Sequence, residues 1–525
     1  MMGLERSSRW LILVTVCLAV LVIGIDNTIV NIALPELGIQ LGATTTALQW
    51  VVDAYVLAFA GLLLVGGYLA DRYGHRRVMV IGLAGFAVSS AAASTCTGIG
   101  PLIGWQAAMG VTAALIYPTT LAVIAAVFTD RGEKALAIGI WSGVSGVSIA
   151  LGPLIGGLLL AHFWWGSVFL VTVPVAAVAI VAALIVVPEW RTPRPGRFDV
   201  LGALTAASGL TVFVWAIIEA PEHGWTSRTT VGAFLTAAVL LAVFYGWERR
   251  NPAPLLDVSL FGNPRFAVAC GAIATAFFGL VGLVFMIMFF FQIVRGYGTL
   301  RTGVATLPFA LCVAVVSPVA LVLTRRIGNK IVVASGLACM CAGFLITTVI
   351  SVDAPYFGPI VLAMSIVAVG LALTTGPATD ALISTVPPDK AGVGSAVNDT
   401  TREVGVALGV AVMGSVLSSI FRRRIAEQWH DLGISPRLAE HGKGSVISAL
   451  EVATRLPDPL GAQAIRATER AFTDGMHAGA WTAAAITALG AVCAAIWLPH
   501  RDSPAPDAGR VRVGGVRDRP AGEPG

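Results

Sequence analysis

Four carboxylates stand in stretches of sequence that are otherwise almost free of charge. Asp26 lies in the apolar run 10–34, Asp53 in 47–70, and Asp399 and Glu403 near the start of 396–420. An ionisable side chain in a segment apolar enough to sit in lipid is costly, and it marks an ion or proton path. Asp26 is roughly 13 Å before the end of its run, at about 1.5 Å per residue, and Asp53 follows soon after the start of the next. Two antiparallel helices joined there place both acids at similar depth. If they face each other, repulsion keeps them from being charged together. A proton held there could be displaced by a bound cation, which is exchange. Asp399 and Glu403 are four apart and share a helix face, and Arg402 is placed to neutralise Asp399. Tyr55, Tyr117 and Trp141 are candidate aromatics for a substrate pocket beside these acids.

Other chemistries lack their residues. Gly442-Lys443 is followed by Gly444 and has no upstream glycine at phosphate-loop spacing, so a nucleotide-driven pump is not expected. The His residues are scattered, mainly in loops, and no His, Cys and carboxylate set has ligand spacing. Neither an enzyme, a metal site nor a cofactor is expected. The cysteines (Cys17, Cys96, Cys270, Cys312, Cys339, Cys341 and Cys493) lie in apolar segments and read as small packing residues. No basic face for nucleic acid is visible.

The elements that must position these acids are membrane helices. The chain is 56% hydrophobic and 12% charged, against about a quarter charged in soluble domains, so its bulk solvent is lipid. At about 20 apolar residues per crossing, fourteen spans are read: 10–34, 47–70, 78–97, 101–128, 135–160, 165–188, 200–219, 229–247, 266–292, 302–323, 331–351, 357–379, 396–420 and 478–498. The first run is too long for a signal-peptide core and reads as an uncleaved helix. Long joined runs break at Gly98 to Pro101 and at His162 to Gly166.

Orientation follows from Lys and Arg in the short loops. With the N-terminus in the cytoplasm, the six short inside loops carry fifteen, among them Arg72, Arg76, Arg77, Arg131, Arg194, Arg197, Arg325, Arg326 and Lys390. The six outside loops carry three, Arg228, Arg295 and Arg301. Both termini are therefore expected in the cytoplasm. The segment 421–477 faces outside, with a short amphipathic helix at Leu460 to Phe472, and the tail 501–525 is expected to be disordered. Arg325-Arg326-Ile327-Gly328-Asn329-Lys330 after span 10 echoes Asp71-Arg72-Tyr73-Gly74-His75-Arg76 after span 2. That internal repeat splits the chain into a six-helix half at 1–190, an inserted pair at 191–265, and a second half at 266–500.

Three motifs fall in order along this frame. Asp26-Asn27-Thr28-Ile29-Val30-Asn31-Ile32-Ala33-Leu34-Pro35 ends span 1. Gly67-Tyr68-Leu69-Ala70-Asp71-Arg72-Tyr73-Gly74-His75-Arg76-Arg77 follows span 2. Gly143, then Gly152-Pro153-Leu154-Ile155-Gly156-Gly157, lie in span 5. With Gln49-Trp50-Val51-Val52-Asp53-Ala54-Tyr55 and Pro254-Leu255-Leu256-Asp257, the chain resembles the major facilitator superfamily over its whole length. It resembles more narrowly the fourteen-span drug:proton antiporters of the EmrB/QacA type.

The resemblance implies an all-α polytopic fold of 6+2+6 helices in a bacterial inner membrane. It implies export of small amphipathic or cationic drugs in exchange for protons. The span-2 motif (Gly67, Asp71, Arg72, Gly74, Arg76, Arg77) is then a cytoplasmic gate, in which Asp71 pairs with arginine when the inside is closed. The span-5 glycines and Pro153 mark antiport, and Glu403 carries over as a coupling acid. The sequence departs from the family in span 4, where Gln106 stands in place of the usual arginine and Met109 in place of the usual glutamine. Thr172 replaces the usual asparagine. The missing arginine shifts the coupling onto Asp26, Asp53 and span 13. Substrate, protons and lipid are the expected partners, and a monomer the expected state. The alternatives are a dedicated exporter of one self-made metabolite and a membrane sensor without transport.

Overall fold

The computed structural model describes residues 6–191, 199–252, 254, 256–386 and 391–498. Arg194, Arg197, Leu255, Lys390 and the tail 501–525 lie outside the described residues. All regular elements described are helical. In chain order they are α1 (Arg6–Leu41), α2 (Thr45–Tyr73), α3 (His75–Ser94), α4 (Ile99–Val127), α5 (Arg131–His162), α6 (Ser167–Leu170), α7 (Thr172–Val186), α8 (Val200–His223) and α9 (Arg228–Glu248). There follow α10 (Pro264–Phe289), α11 (Thr299–Ala305), α12 (Leu307–Ile327), α13 (Asn329–Thr347), α14 (Val361–Ile383), α15 (Ala391–Asp431), α16 (Pro436–Gly442), α17 (Val446–Thr454) and α18 (Leu460–Trp497). Among the described residues thirteen stretches are long and apolar enough to cross a membrane, and the 32-residue α5 is a fourteenth crossing.

The turns are where the residue types require them. Gly74, at φ +110°, ends α2 with its N–H on the Ala70 carbonyl at 2.9 Å. Gly328, at φ +87°, ends α12 with its N–H on Thr324 at 2.8 Å. Both angles lie in the region that only glycine enters cheaply, so the two echoing loops share a backbone as well as a spelling. Pro174 and the Thr172 hydroxyl, bonded to the Phe169 carbonyl at 2.8 Å, mark the break between α6 and α7.

Helices α1–α7 pack on one another, as do α10–α18, while α8 and α9 pair and α8 lies against both α2 and α15. The segment 421–477 stands over the bundle end where α1 gives way to α2. There Thr45 N donates to the Gly444 carbonyl at 3.4 Å, and Ile447 fills the space beside Gly38. We call this end the cap face. Two expectations change here. α15 runs 41 residues, about 60 Å and twice the hydrocarbon thickness, so its second half projects into the cap and buries Trp429. Leu460 to Phe472 is the first part of the continuous α18 and not a separate short helix. Asp474 of α18 pairs with Arg424 of α15 at 3.3 Å, which steadies both projections.

Candidate functional site

The acids divide into a connected set and an isolated one. On α15, Arg402 donates from Nε and Nη2 to Glu403 Oε1 at 3.1 and 3.0 Å. Its Nη1 reaches Tyr117 Oη of α4 at 3.3 Å. The guanidinium lies 5.3 Å from the Tyr117 ring and 5.5 Å from Phe277 of α10. Glu403 is 1% exposed, and its Oε2 has no described partner. Arg402 therefore bonds Glu403 and not Asp399, contrary to the spacing expectation. Asp399 instead accepts from Asn398 at 3.2 Å and lies within electrostatic reach of Arg402.

Aromatic rings continue the site across α2, α4 and α5. Tyr55 and Phe59 have centroids 5.9 Å apart, Phe59 and Tyr117 5.8 Å, and Tyr117 and Trp141 5.5 Å. Trp141 Nε1 donates to Thr120 at 3.1 Å. Tyr55 lies within electrostatic reach of Asp26, Glu403, Arg402 and Tyr117 at once. Tyr55 Oη itself is buried and has no described hydrogen-bond partner. Asp26 is 1% exposed, and its Oδ1 has no described partner.

Asp53 is not part of this set. It is fully buried, and neither carboxyl oxygen has a described partner. The two aspartates do not sit at one depth because α1 continues through Pro35 to Leu41. The extra turns place Asp26 about 22 Å from the cap end, whereas Asp53 is about 12 Å into α2. Gln49, one turn before Asp53, donates to the Val410 and Ala411 carbonyls of α15 at 3.2 and 3.1 Å. Gln106, the residue in the usual arginine's place, is buried, and its Oε1 has no described partner.

The span-2 motif draws partners from its own helix and from the end of α7. Asp71 pairs with His75, one turn on, at 3.3 Å. Arg76 and Arg77 lie 3.7 and 3.6 Å from Glu189, just beyond α7, and Arg76 also donates to the Val187 carbonyl at 3.4 Å. Trp190 stacks on His75 with centroids 4.6 Å apart. A side chain at Gly74 would collide with Glu189. Arg72 bonds Tyr68 at 3.1 Å, and Gly67 lies beside Pro118 of α4. Sequence reasoning missed Glu189 and Trp190. Their signal was an acid and an aromatic directly after a positive-inside span.

The span-5 glycines divide as well. A Cβ at Gly152 would enter Thr28 of α1. One at Gly156 would come within 2.6 Å of Ile32, and one at Gly157 within 2.7 Å of the Thr299 carbonyl of α11. These three, with Pro153, whose carbonyl lies against Gly303, let α5 seal against α1 and α11 near the cap face. Gly143 meets nothing within 4 Å and takes no part in that packing. The Phe and Met side chains at the end of α10 and just beyond it are buried in protein: Phe285, Met286, Met288, Phe289, Phe290 and Phe291 are all at most 3% exposed. Phe277, earlier on α10, is the ring that meets the charged set.

Between the two helix groups, the side-chain hydrogen bonds seen among the described residues gather toward the cap face. Gln49 reaches α15, Gln292 donates to the Ile32 carbonyl at 2.9 Å, and Thr299 donates to the Gly157 carbonyl at 3.2 Å. The exception is the Arg402 to Tyr117 bond, about halfway through the bundle.

The family model for the Major Facilitator Superfamily matches residues 16–410. The chain is 33% identical over 470 residues to the multidrug efflux pump LfrA of Mycolicibacterium smegmatis, covering 90% of this chain and 92% of that protein. It is 32% identical over 499 residues to the tetracenomycin C resistance and export protein of Streptomyces glaucescens, covering 94% and 92%. In shape it is similar to a bacterial homologue of the human lysosomal transporter Spinster, solved inward-facing and occupied. The TM-score is 0.66 at 17% identity, over 95% of this chain and all of that one.

Proposed function

The chain belongs to the major facilitator superfamily, and from that membership we propose that it is a secondary exporter of small amphipathic or cationic drugs and antibiotics, driven by proton exchange across a bacterial inner membrane. The carrying observation is the buried set in which Arg402 ties Glu403 of one helix group to Tyr117 of the other, with Tyr55 and Asp26 alongside. The two halves are 1–190 and 266–500, with 191–265 inserted, and both termini and the Asp71 gate loop lie in the cytoplasm. Cross-group bonds gathered at the cap face then describe a carrier closed to the outside and open inward.

The residues suggest how exchange proceeds. A cationic, flat substrate enters from the cytoplasm and stacks on Tyr55, Tyr117 and Trp141, where ring faces attract cations. Its charge is met by Asp26 and Glu403 once their protons have left toward the cytoplasm. After the carrier opens outward, protons return to these acids and displace the cation. Arg402 takes Glu403 as its partner between loads, so the acid is never left charged and unpaired in a dry interior. Asp399 tunes the same arginine, and Asp53 is a second proton carrier nearer the outer mouth. The glycine seam of Gly152, Gly156 and Gly157 lets α1, α5 and α11 close tightly on the outer side.

The test is ethidium efflux from proteoliposomes under an imposed pH gradient. Accumulation that follows the gradient is expected, and transport indifferent to it would leave a facilitator. A second reading, a dedicated exporter of one antibiotic, is favoured by the relative named for a single compound. Growth of an expressing strain on chemically unrelated cations separates the two, because a dedicated exporter protects against one only.

A further inference from the structure

The inserted pair has one residue that leaves a bond for another helix to fill. Pro221 lies inside α8 near its cap-face end. A helical carbonyl normally accepts from the N–H four residues on. Proline has none, so the Ile217 carbonyl loses its partner within the helix. The hydroxyl of Ser415, on α15, supplies it at 2.8 Å. Ser415 is fully buried and also accepts from Gln49 of α2 at 3.4 Å. Just beyond α8, Trp225 Nε1 donates to Ser419 of α15 at 3.2 Å.

On its other side α8 is fixed to α2. Trp50 Nε1 donates to Glu219 Oε1 at 3.2 Å, and a Cβ at Gly61 would come within 2.9 Å of Ala207, so the two helices stay close well below the cap face. The hydrogen bonds described between α8 and α15 lie only at the cap-face end. α8 thus packs between α2 and α15, and its described hydrogen bonds to α15 are confined to one end.

We propose that α8 is a latch on the cap-face gate, in which Pro221 frees the Ile217 carbonyl, Ser415 of α15 binds it, and the Trp50–Glu219 bond holds α8 on α2 so that the hook resists opening. This rests on the alternating-access reading, since a latch needs a gate that opens. Opening would part α15 from α2 and α8 together and would break the Gln49, Ser415 and Trp225 bonds in one movement. Trp50 and Glu219 are positioning residues in this device and touch neither substrate nor proton.

The test follows the gate directly. Spin labels at Ile39→Cys and Phe357→Cys, both exposed at the cap face on opposite helix groups, report its width in lipid nanodiscs with the seven native cysteines replaced. Ser415→Ala removes the bond to Ile217 and the longer one from Gln49, and should raise the open-to-closed ratio by roughly two- to tenfold or more, at about 0.5–1.5 kcal/mol per hydrogen bond. Pro221→Ala added to Ser415→Ala restores the internal N–H. The buried carbonyl is then no longer orphaned in the closed state, and the ratio should fall part of the way back. An unmoved ratio in Ser415→Ala, or a double variant as open as the single one, overturns the latch. The distances need no transport, so a chain that fails to drive ethidium by a pH gradient yet opens more readily without Ser415 sinks the export reading and keeps the latch.

Discussion

Glu403→Gln separates the proton from the substrate at the buried set. Arg402 places two N–H groups on Glu403 Oε1, at 3.1 and 3.0 Å, and Oε2 has no described partner. The amide keeps Oε1 as an acceptor, so the loss is that between a charge-assisted and a neutral hydrogen bond, about 1–2 kcal/mol. Glu403→Leu would leave the guanidinium without its carboxylate, at about 3–5 kcal/mol, so the Gln form is the one to purify. The effect on coupling is larger. One unit of pH across the membrane is worth about 1.4 kcal/mol per proton exchanged, or roughly tenfold in substrate ratio. In proteoliposomes with that gradient, the ethidium ratio held by Glu403→Gln should fall by about tenfold or more. Exchange of labelled for unlabelled ethidium at equal pH should persist, since it moves no net proton. A variant that still builds the full ratio removes Glu403 from the proton path. One that loses exchange as well refutes the separation of the two roles.

Asp26→Asn should also abolish accumulation while Asp53→Asn lowers it only partly, because Asp26 alone of the two shares Tyr55 with Glu403; full gradient-driven efflux by Asp26→Asn would remove it from the path. Gly152→Val should overpack α5 against Thr28, costing about 1–3 kcal/mol or more and lowering the melting temperature, whereas Gly143→Ala, in open space, should leave it unchanged. At the start of α8, burial works against the charge of Asp199, but bonds from Gly202 N, Trp247 and Asn251 outweigh it and hold the carboxyl below the usual range. Its contribution is therefore present above the ordinary aspartate value and lost as pH falls through the lowered one. Asp199→Ala should cost about 0.5–2 kcal/mol as a lost helix cap at pH 7, and the difference from the unmodified chain in thermal melts should shrink below about pH 4.

What could be read from the residues alone was what each residue needs from its own helix or turn. Spans follow from apolar length, and Gly74 and Gly328 from a backbone angle that other residues avoid. Depth was harder. Ending α1 at Pro35 put Asp26 level with Asp53, and the six further residues to Leu41 lower Asp26 by about 9 Å and give it a different neighbour. Proline tolerated within a membrane helix was the error, and no local pattern distinguishes a helix that passes through proline from one that stops there.

Arg402 was visible in the sequence, but its partner was not. An arginine three residues from one acid and next to another can neutralise either. Which it does depends on what faces it from other helices: Tyr117 from α4 and Phe277 from α10 surround the guanidinium and turn it toward Glu403. The same holds for Pro221. Its missing N–H is legible, and it requires that some donor reach the Ile217 carbonyl; that the donor is Ser415, nearly 200 positions away, is a property of the packed bundle. Membrane interiors make such obligations strict, since no water is there to meet them. A residue that breaks its own helix's bonding in a span is therefore a pointer to a contact between helices, and at Pro221 that contact is the meeting of α8 and α15.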